Sequence, residues 1–86
     1  MNRPIAIAYY RKQDWERFLQ MIDDKKSMHE TWEEWLKSFE KIKSRCEEEG
    51  LIVKTVIVDI DELNHYCKIR GIKNDGKARS TFILSK

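Results

Sequence analysis

The pattern of apolar and polar positions divides the chain into strand-like apolar runs and stretches of helical periodicity. The first run, Pro4–Tyr10 (PIAIAYY), is apolar almost throughout, which is typical of a strand covered on both faces. After Asp14, apolar residues recur at i, i+3, i+4 and i+7 and predict an amphipathic helix: Trp15, Phe18, Leu19 and Ile22.

The next stretch carries the strongest helix signal in the chain. Thr31 and Glu34 have the spacing of a capping box, in which the cap hydroxyl accepts a hydrogen bond from the N3 amide. A long apolar stripe follows at helical spacing: Trp32, Trp35, Leu36, Phe39, Ile42 and Cys46. Gly50 stands where helices commonly end. We expect Trp15 and Trp35 in the core and Trp32 half exposed, so the tryptophans do not predict a base-stacking platform.

The rest of the chain predicts a second strand and two further elements. Leu51–Val58 is rich in β-branched residues and reads as a strand. Asp59 or Asp61 can cap the helix that follows, and Gly71 ends it. Beyond the turn at 74–76, we favour a helix over residues 77–85, with a third strand at 80–85 as the alternative.

The predicted fold is therefore a single α/β domain over residues 1–86, with the order β-α-α-β-α-α. Its sheet has two strands, whose relative direction the sequence leaves open, packed by amphipathic helices. The alternative order is β-α-α-β-α-β. Because two strands alone make a marginal sheet, self-association through a free edge is a further expectation.

Charge is distributed unevenly along the 86 residues, although the formal net charge is only +2. Residues 1–62 carry a net charge of −3, and residues 63–86 carry +5. A basic terminal section on an acidic domain can attract nucleic acid or an acidic protein.

The stretch GIKNDGKARS (71–80) matches seven of the eight positions of a phosphate-binding P-loop. The match fails on chemistry, because Ala78 stands where a hydroxyl must hold Mg²⁺. The residues before Gly71 also continue a helix, whereas a P-loop follows a buried strand. We therefore expect no bound nucleotide and no other cofactor.

A weaker anion-binding role survives at the same turn. Asn74 or Asp75 can cap a helix whose first turn is basic, and helix N-termini bind anions through free amide groups. The candidate anion- or partner-binding residues are Arg70, Lys73, Lys77 and Arg79. The structural alternative is a capped turn carrying solvated basic residues.

A second candidate site lies at the strand ends. If the two strands are parallel, Tyr10 and Arg11 follow one strand at the edge where Asp59 and Asp61 follow the other. This edge is a common ligand-binding position in α/β sheets, so these residues form the alternative ligand site. The simpler reading of the two aspartates is a helix cap with an acid in the first turn.

Cysteine and histidine usage offers no further chemistry. Cys46 and Cys67 are not spaced as a C-x-x-C pair, and we read both as reduced cytosolic thiols on the apolar sides of helices. The two histidines have no metal-ligand spacing, so no metal site is expected. The longest apolar runs are far shorter than a membrane span needs, so neither a membrane segment nor an export signal is expected.

Several motifs resemble those of a small bacterial protein family of unknown function. They are IAIAYY, D-W, T-W-x-x-W, a glycine before the second strand, D-E-L-x-x-Y-C-x-x-x-G and D-G-x-A-R-x-x-F, and they span nearly the whole chain. The resemblance implies a bacterial cytoplasmic domain and favours a helix over 77–85. A weaker, fold-level resemblance links VIVDIDEL and STFILSK to thioredoxin-like domains, without their C-x-x-C and with Ser80 at their cis-proline position.

The leading functional hypothesis is a non-enzymatic interaction module. Its working surface would be the basic C-terminal section, docking an acidic protein or a phosphate backbone, with exposed parts of Trp32 or Tyr66 adding apolar contact. The competing hypothesis is a small enzyme or ligand-binding domain that uses the strand ends.

Overall fold

The computed structural model describes residues 4–85, and their elements follow the predicted order β-α-α-β-α-α. The bounds are β1 Pro4–Tyr9, α1 Trp15–Met21, α2 Trp32–Glu48, β2 Ile52–Ile57, α3 Ile60–Arg70 and α4 Gly76–Leu84. Short 3₁₀ turns at Lys12–Asp14 and Lys25–Ser27 flank α1.

The last element is a helix, as favoured, and the alternative of a third strand at 80–85 is wrong. Asp75 caps this helix, since its Oδ1 accepts a hydrogen bond from the Ala78 amide at 3.0 Å. Ala78 and Phe82, one helical turn apart, are both buried on the same side of α4.

The two strands are parallel, which settles the direction that the sequence left open. Their register runs from Pro4 opposite Ile52 to Tyr9 opposite Ile57. On one sheet face, the Tyr9 ring meets the rings of Trp35 and Phe39 on α2 edge-on, at 5.5 and 5.4 Å between centroids. On the other face α4 packs against β1.

An aromatic cluster joins the sheet to the first two helices. The Tyr10 ring stacks on Phe18 with 4.3 Å between centroids, and Trp15 lies 5.6 Å from Trp35. Trp15 and Trp35 are buried, as predicted, and belong to a single core cluster of the described residues. Trp32 is half-buried, and its indole N–H donates to the Tyr10 carbonyl at 2.8 Å.

The predicted helix ends are confirmed in the structure. Thr31 Oγ1 accepts from the Glu34 amide at 3.2 Å. Asp59, rather than Asp61, caps α3, because its Oδ1 accepts from the amides of Asp61 and Glu62 at 3.0 and 3.1 Å. Gly71 ends α3 with φ of 63°, a left-handed conformation that favours glycine.

The second strand is more exposed than its composition suggests. Four of its six residues are exposed, whereas four of the six in β1 are half-buried. Ile57 keeps 64% of its surface exposed, and Ile42, on the apolar stripe of α2, keeps 51%. Apolar surface is therefore left uncovered on β2 and on α2 within residues 4–85.

Candidate partner-binding surface

The turn between α3 and α4 is held in place by the chain's own hydrogen bonds. The amide of Gly71 donates to the Lys68 carbonyl at 3.2 Å, and that of Ile72 donates to the Cys67 carbonyl at 3.1 Å. This pattern is a Schellman motif, which ends a helix and redirects the chain. The near-match to a P-loop is thus a helix-to-helix corner.

A pair of hydrogen bonds fastens this corner to the connection after α1. The Asn74 amide donates to Asp23 Oδ2 at 2.7 Å, and the Asp23 amide donates to the Asn74 carbonyl at 2.9 Å. Asn74 is buried. The corner therefore has a fixed position, and so do the side chains that project from it.

Arg79 faces the interior and is separated from the other three predicted basic residues. It is only 6% exposed, and its guanidinium forms a forked pair with the Asp24 carboxylate. Its Nη1 also donates to the Asn74 carbonyl at 3.0 Å, and its Cζ lies 5.6 Å from the centre of the Phe18 ring. Arg79 thus joins α4 to the 23–24 connection and has no free face for an external anion.

Two of the other three basic residues, Lys73 and Lys77, line a groove between α3 and α4, and Arg70 borders an adjoining depression. The groove, of about 310 Å³, is lined by Tyr66, Ile72, Lys73, Asp75, Lys77, Ala78 and Thr81. We call this the α3–α4 groove. Lys73 and Lys77 are exposed on its walls, and neither ammonium group makes an ion pair within residues 4–85.

The base of the groove is apolar and partly aromatic. Tyr66 meets the Phe82 ring edge-on at 5.2 Å, which holds it against α4. The Arg70 guanidinium lies 3.9 Å from the centre of the Tyr66 ring, within the range of a cation–π contact. Ile72 is 45% exposed, and Ile69 borders an adjoining depression on the other side of Tyr66. The surface thus combines positive charge with apolar contact area.

A larger depression, of about 580 Å³, lies along the second half of α2. Among residues 4–85, its lining comes from that one helix, between Ser38 and Glu48. No second element of the described part of the chain forms an opposite wall, so the depression is a surface furrow there. The α3–α4 groove, formed by two helices and the turn between them, is the better-defined site despite its smaller volume.

The strand ends do come together, but each predicted residue there has a structural contact. Tyr10 is buried at 4% exposure, and burial raises its pKa to about 12, an effect that nearby Arg79 partly offsets. Arg11 Nη2 lies 2.8 Å from Asp14 Oδ2. Asp59 caps α3, as described above.

Asp61, the fourth predicted residue of that site, pairs with α1. Its Oδ1 lies 2.7 Å from Arg17 Nη2, and both side chains are largely exposed. The arrangement therefore gives helix capping and ion pairing at this edge rather than a set of converging carboxylates.

Residues 4–85 contain no group of three or more histidine, cysteine or acidic side chains placed to hold a metal ion. Within the same residues, no helix is both long and apolar enough to cross a membrane. Cys46 and Cys67 are free thiols.

The chain matches no protein-family model, and searches of curated proteins and of solved structures also give no match. The resemblances to a small bacterial family and to thioredoxin-like domains therefore stay predictions.

Of the residues that the sequence suggested for a binding surface, Lys73, Lys77 and Tyr66 line the groove, and Arg70 borders the adjoining depression. Sequence reasoning missed Ile72, whose signal is an isolated apolar residue between a helix-ending glycine and a lysine. Such a residue in an exposed turn has no core to join, so its exposure could have been expected.

Proposed function

We propose that this protein is a non-enzymatic interaction module whose α3–α4 groove binds an acidic protein segment that carries an exposed apolar side chain. The observation that supports this most is the combination of an apolar base with two lysines that have no ion-pair partner within the described residues. Lysines in that state are available to carboxylates of another molecule.

The chemistry of the groove favours an acidic peptide over a phosphate backbone. A phosphate backbone would use the positive charge but would leave Ile72 and Tyr66 without a role. A peptide with acidic residues around one Leu, Phe or Trp uses both, since the apolar side chain displaces water from the base and its neighbours meet Lys73 and Lys77. The burial of Arg79 also removes one of the four charges predicted for phosphate contact.

We place this interaction in the bacterial cytoplasm. The two free cysteines are in keeping with a reducing compartment. Long-range attraction between opposite charges would speed the encounter and make it sensitive to salt.

Fluorescence anisotropy with labelled peptides tests the proposal. The peptides carry Asp and Glu on both sides of a single Leu, Phe or Trp. The double variant Lys73→Glu/Lys77→Glu should bind about tenfold more weakly or worse, a loss of roughly 1.4 kcal/mol. Ile72→Ser should weaken binding without changing the charge.

A charge-matched control is Lys37→Glu/Lys41→Glu on α2, whose residues are also exposed. It changes the net charge equally and should bind as the wild type does. Equal affinity for all variants would exclude the groove as the site. Tight, steeply salt-dependent binding of a single-stranded oligonucleotide, with no peptide binding, would favour the phosphate-backbone alternative.

A further inference from the structure

The outer edge of β2 is open within residues 4–85. β2 pairs with β1 on one side only, in a sheet of two strands. Lys54, Thr55 and Ile57 are all exposed. An open edge with exposed β-branched residues is suited to pairing with another strand.

The hydrogen bonding of the sheet determines which groups face this edge. The Val58 amide donates to the Tyr9 carbonyl at 2.9 Å, so the backbone groups of Val58 face β1. Backbone groups alternate in direction along a strand, so those of Lys54 and Val56 also face β1. The amides and carbonyls of Val53, Thr55 and Ile57 therefore point outward.

We propose that this edge pairs antiparallel with the same edge of a second copy, about a two-fold axis at Thr55. This pairing rests on the β2 edge alone and not on the α3–α4 groove. The outward groups of Thr55 would exchange two hydrogen bonds with Thr55 of the other copy. Val53 would pair with Ile57 of the other copy, and Ile57 with Val53. The result is one four-stranded sheet with β1 at each outer position.

The side chains suit this register and disfavour the neighbouring one. Thr–Thr and pairs of β-branched residues are favourable across antiparallel strands. An axis at Lys54 would make Lys54 a non-hydrogen-bonded pair with its counterpart and would oppose two ammonium groups, which is unfavourable. In the register at Thr55, Lys54 lies opposite Val56 of the other copy, so no like charges meet.

A second copy is the occupant that best fits this edge. A two-stranded sheet is marginal, and a two-fold dimer doubles the sheet and leaves only the β1 edges. It also brings the exposed Ile57 side chain against a partner residue.

Cross-linking tests the register directly in a Cys46→Ser background, which removes the partly exposed native thiol. In the proposed dimer the two Thr55 Cα atoms lie about 5.5 Å apart, within the range of a disulfide. Thr55→Cys should therefore form a covalent dimer on mild oxidation. The matched control Val53→Cys should not, since the two residues 53 would lie about 13 Å apart along the strands.

Mass and amide exchange give independent readouts. Sedimentation of the wild-type chain should show twice the monomer mass at high concentration, and Thr55→Pro, which removes only an outward amide, should stay monomeric. Amides of Val53, Thr55 and Ile57 should become protected from hydrogen exchange as the dimer forms. A wild-type monomer at about 1 mM, or equal cross-linking at residues 53 and 55, would overturn the proposal.

Discussion

The guanidinium of Arg79 donates two hydrogen bonds to the carboxylate of Asp24, which lies 55 residues earlier in the sequence. The Nη2–Oδ2 distance is 2.6 Å and the Nη1–Oδ1 distance is 2.9 Å. The arginine side chain is buried and that of Asp24 is one quarter exposed. Because Arg79 also donates to the Asn74 carbonyl, one side chain fixes α4, the corner before it and the connection after α1.

Replacing Arg79 by Met should destabilise the fold by about 3 kcal/mol, because it removes the cationic partner of the Asp24 carboxylate and one of the donors to the Asn74 carbonyl. Urea unfolding followed by tryptophan fluorescence measures this. Lys77→Met, on the exposed side of the same helix, is the matched control and should change stability by less than about 0.5 kcal/mol. Equal effects of the two substitutions would mean that the buried pair has no special role.

Lowering the pH should weaken the pair between Arg79 and Asp24. The hydrogen bond from Arg79 is the main cause that lowers the pKa of Asp24 below its ordinary value of 3.8. A carboxyl whose folded pKa is lowered adds stability above its unfolded pKa, and that stability is lost as the pH falls through the folded value. Unfolding midpoints measured from neutral pH to below 3.8 should therefore fall more steeply for the wild type than for Asp24→Asn. Parallel curves for the two proteins would contradict this assignment.

Raising the pH should destabilise the fold through the ionisation of Tyr10. Burial raises the pKa of Tyr10 from 10.0 to about 12, so the folded protein favours the neutral phenol. The stability linked to this group, roughly 2–3 kcal/mol, is fully present below pH 10.0 and is lost as the pH rises toward 12. Tyr10→Phe should lose this part of the alkaline dependence. Phenolate absorbance, compared between wild type and variant, should show Tyr10 ionising late or only with unfolding.

The two glycines that gave the chain its P-loop appearance should respond differently to alanine. Gly71 has φ of 63°, so Gly71→Ala should cost about 1 kcal/mol from backbone strain even though no atom lies within 4 Å of the new Cβ. Gly76 begins α4 with an ordinary φ and equally open space, so Gly76→Ala should be neutral or slightly stabilising. Thermal unfolding of both variants gives the comparison, and a larger loss for Gly76→Ala would contradict it.

Local signals in the sequence predicted most of the fold. The Thr31 cap, the Asp59 cap and the helix end at Gly71 depend on contacts between residues a few positions apart, so they can be predicted from the local sequence. The direction of β1 and β2 depends on how a connection of more than forty residues folds back, and no local pattern records it.

The burial of the Arg79 side chain was the main feature that could not be predicted from the sequence. The buried side of α4 includes Ala78, Arg79, Phe82 and Ile83, so a charged residue occupies a core-facing position. Its partner, Asp24, lies in the polar connection after α1, whose sequence is typical of solvent-exposed surface. Likewise, β-branched residues predicted that β2 is a strand but not how exposed it is, since the same residue types serve equally well on an open edge.

The parallel pairing of Pro4 with Ile52 also has a consequence for synthesis. Ribosomes add about 5–20 residues per second, so β2 is synthesised several seconds after the apolar strand β1, which stays unpaired during that time. Closing a loop of this length costs roughly 3 kcal/mol of chain entropy, which must be offset before the sheet can form. We therefore expect α2, which has its own cap and aromatic stripe, to pack against Tyr9 and its neighbours first. The sheet should form only after β2 has been synthesised.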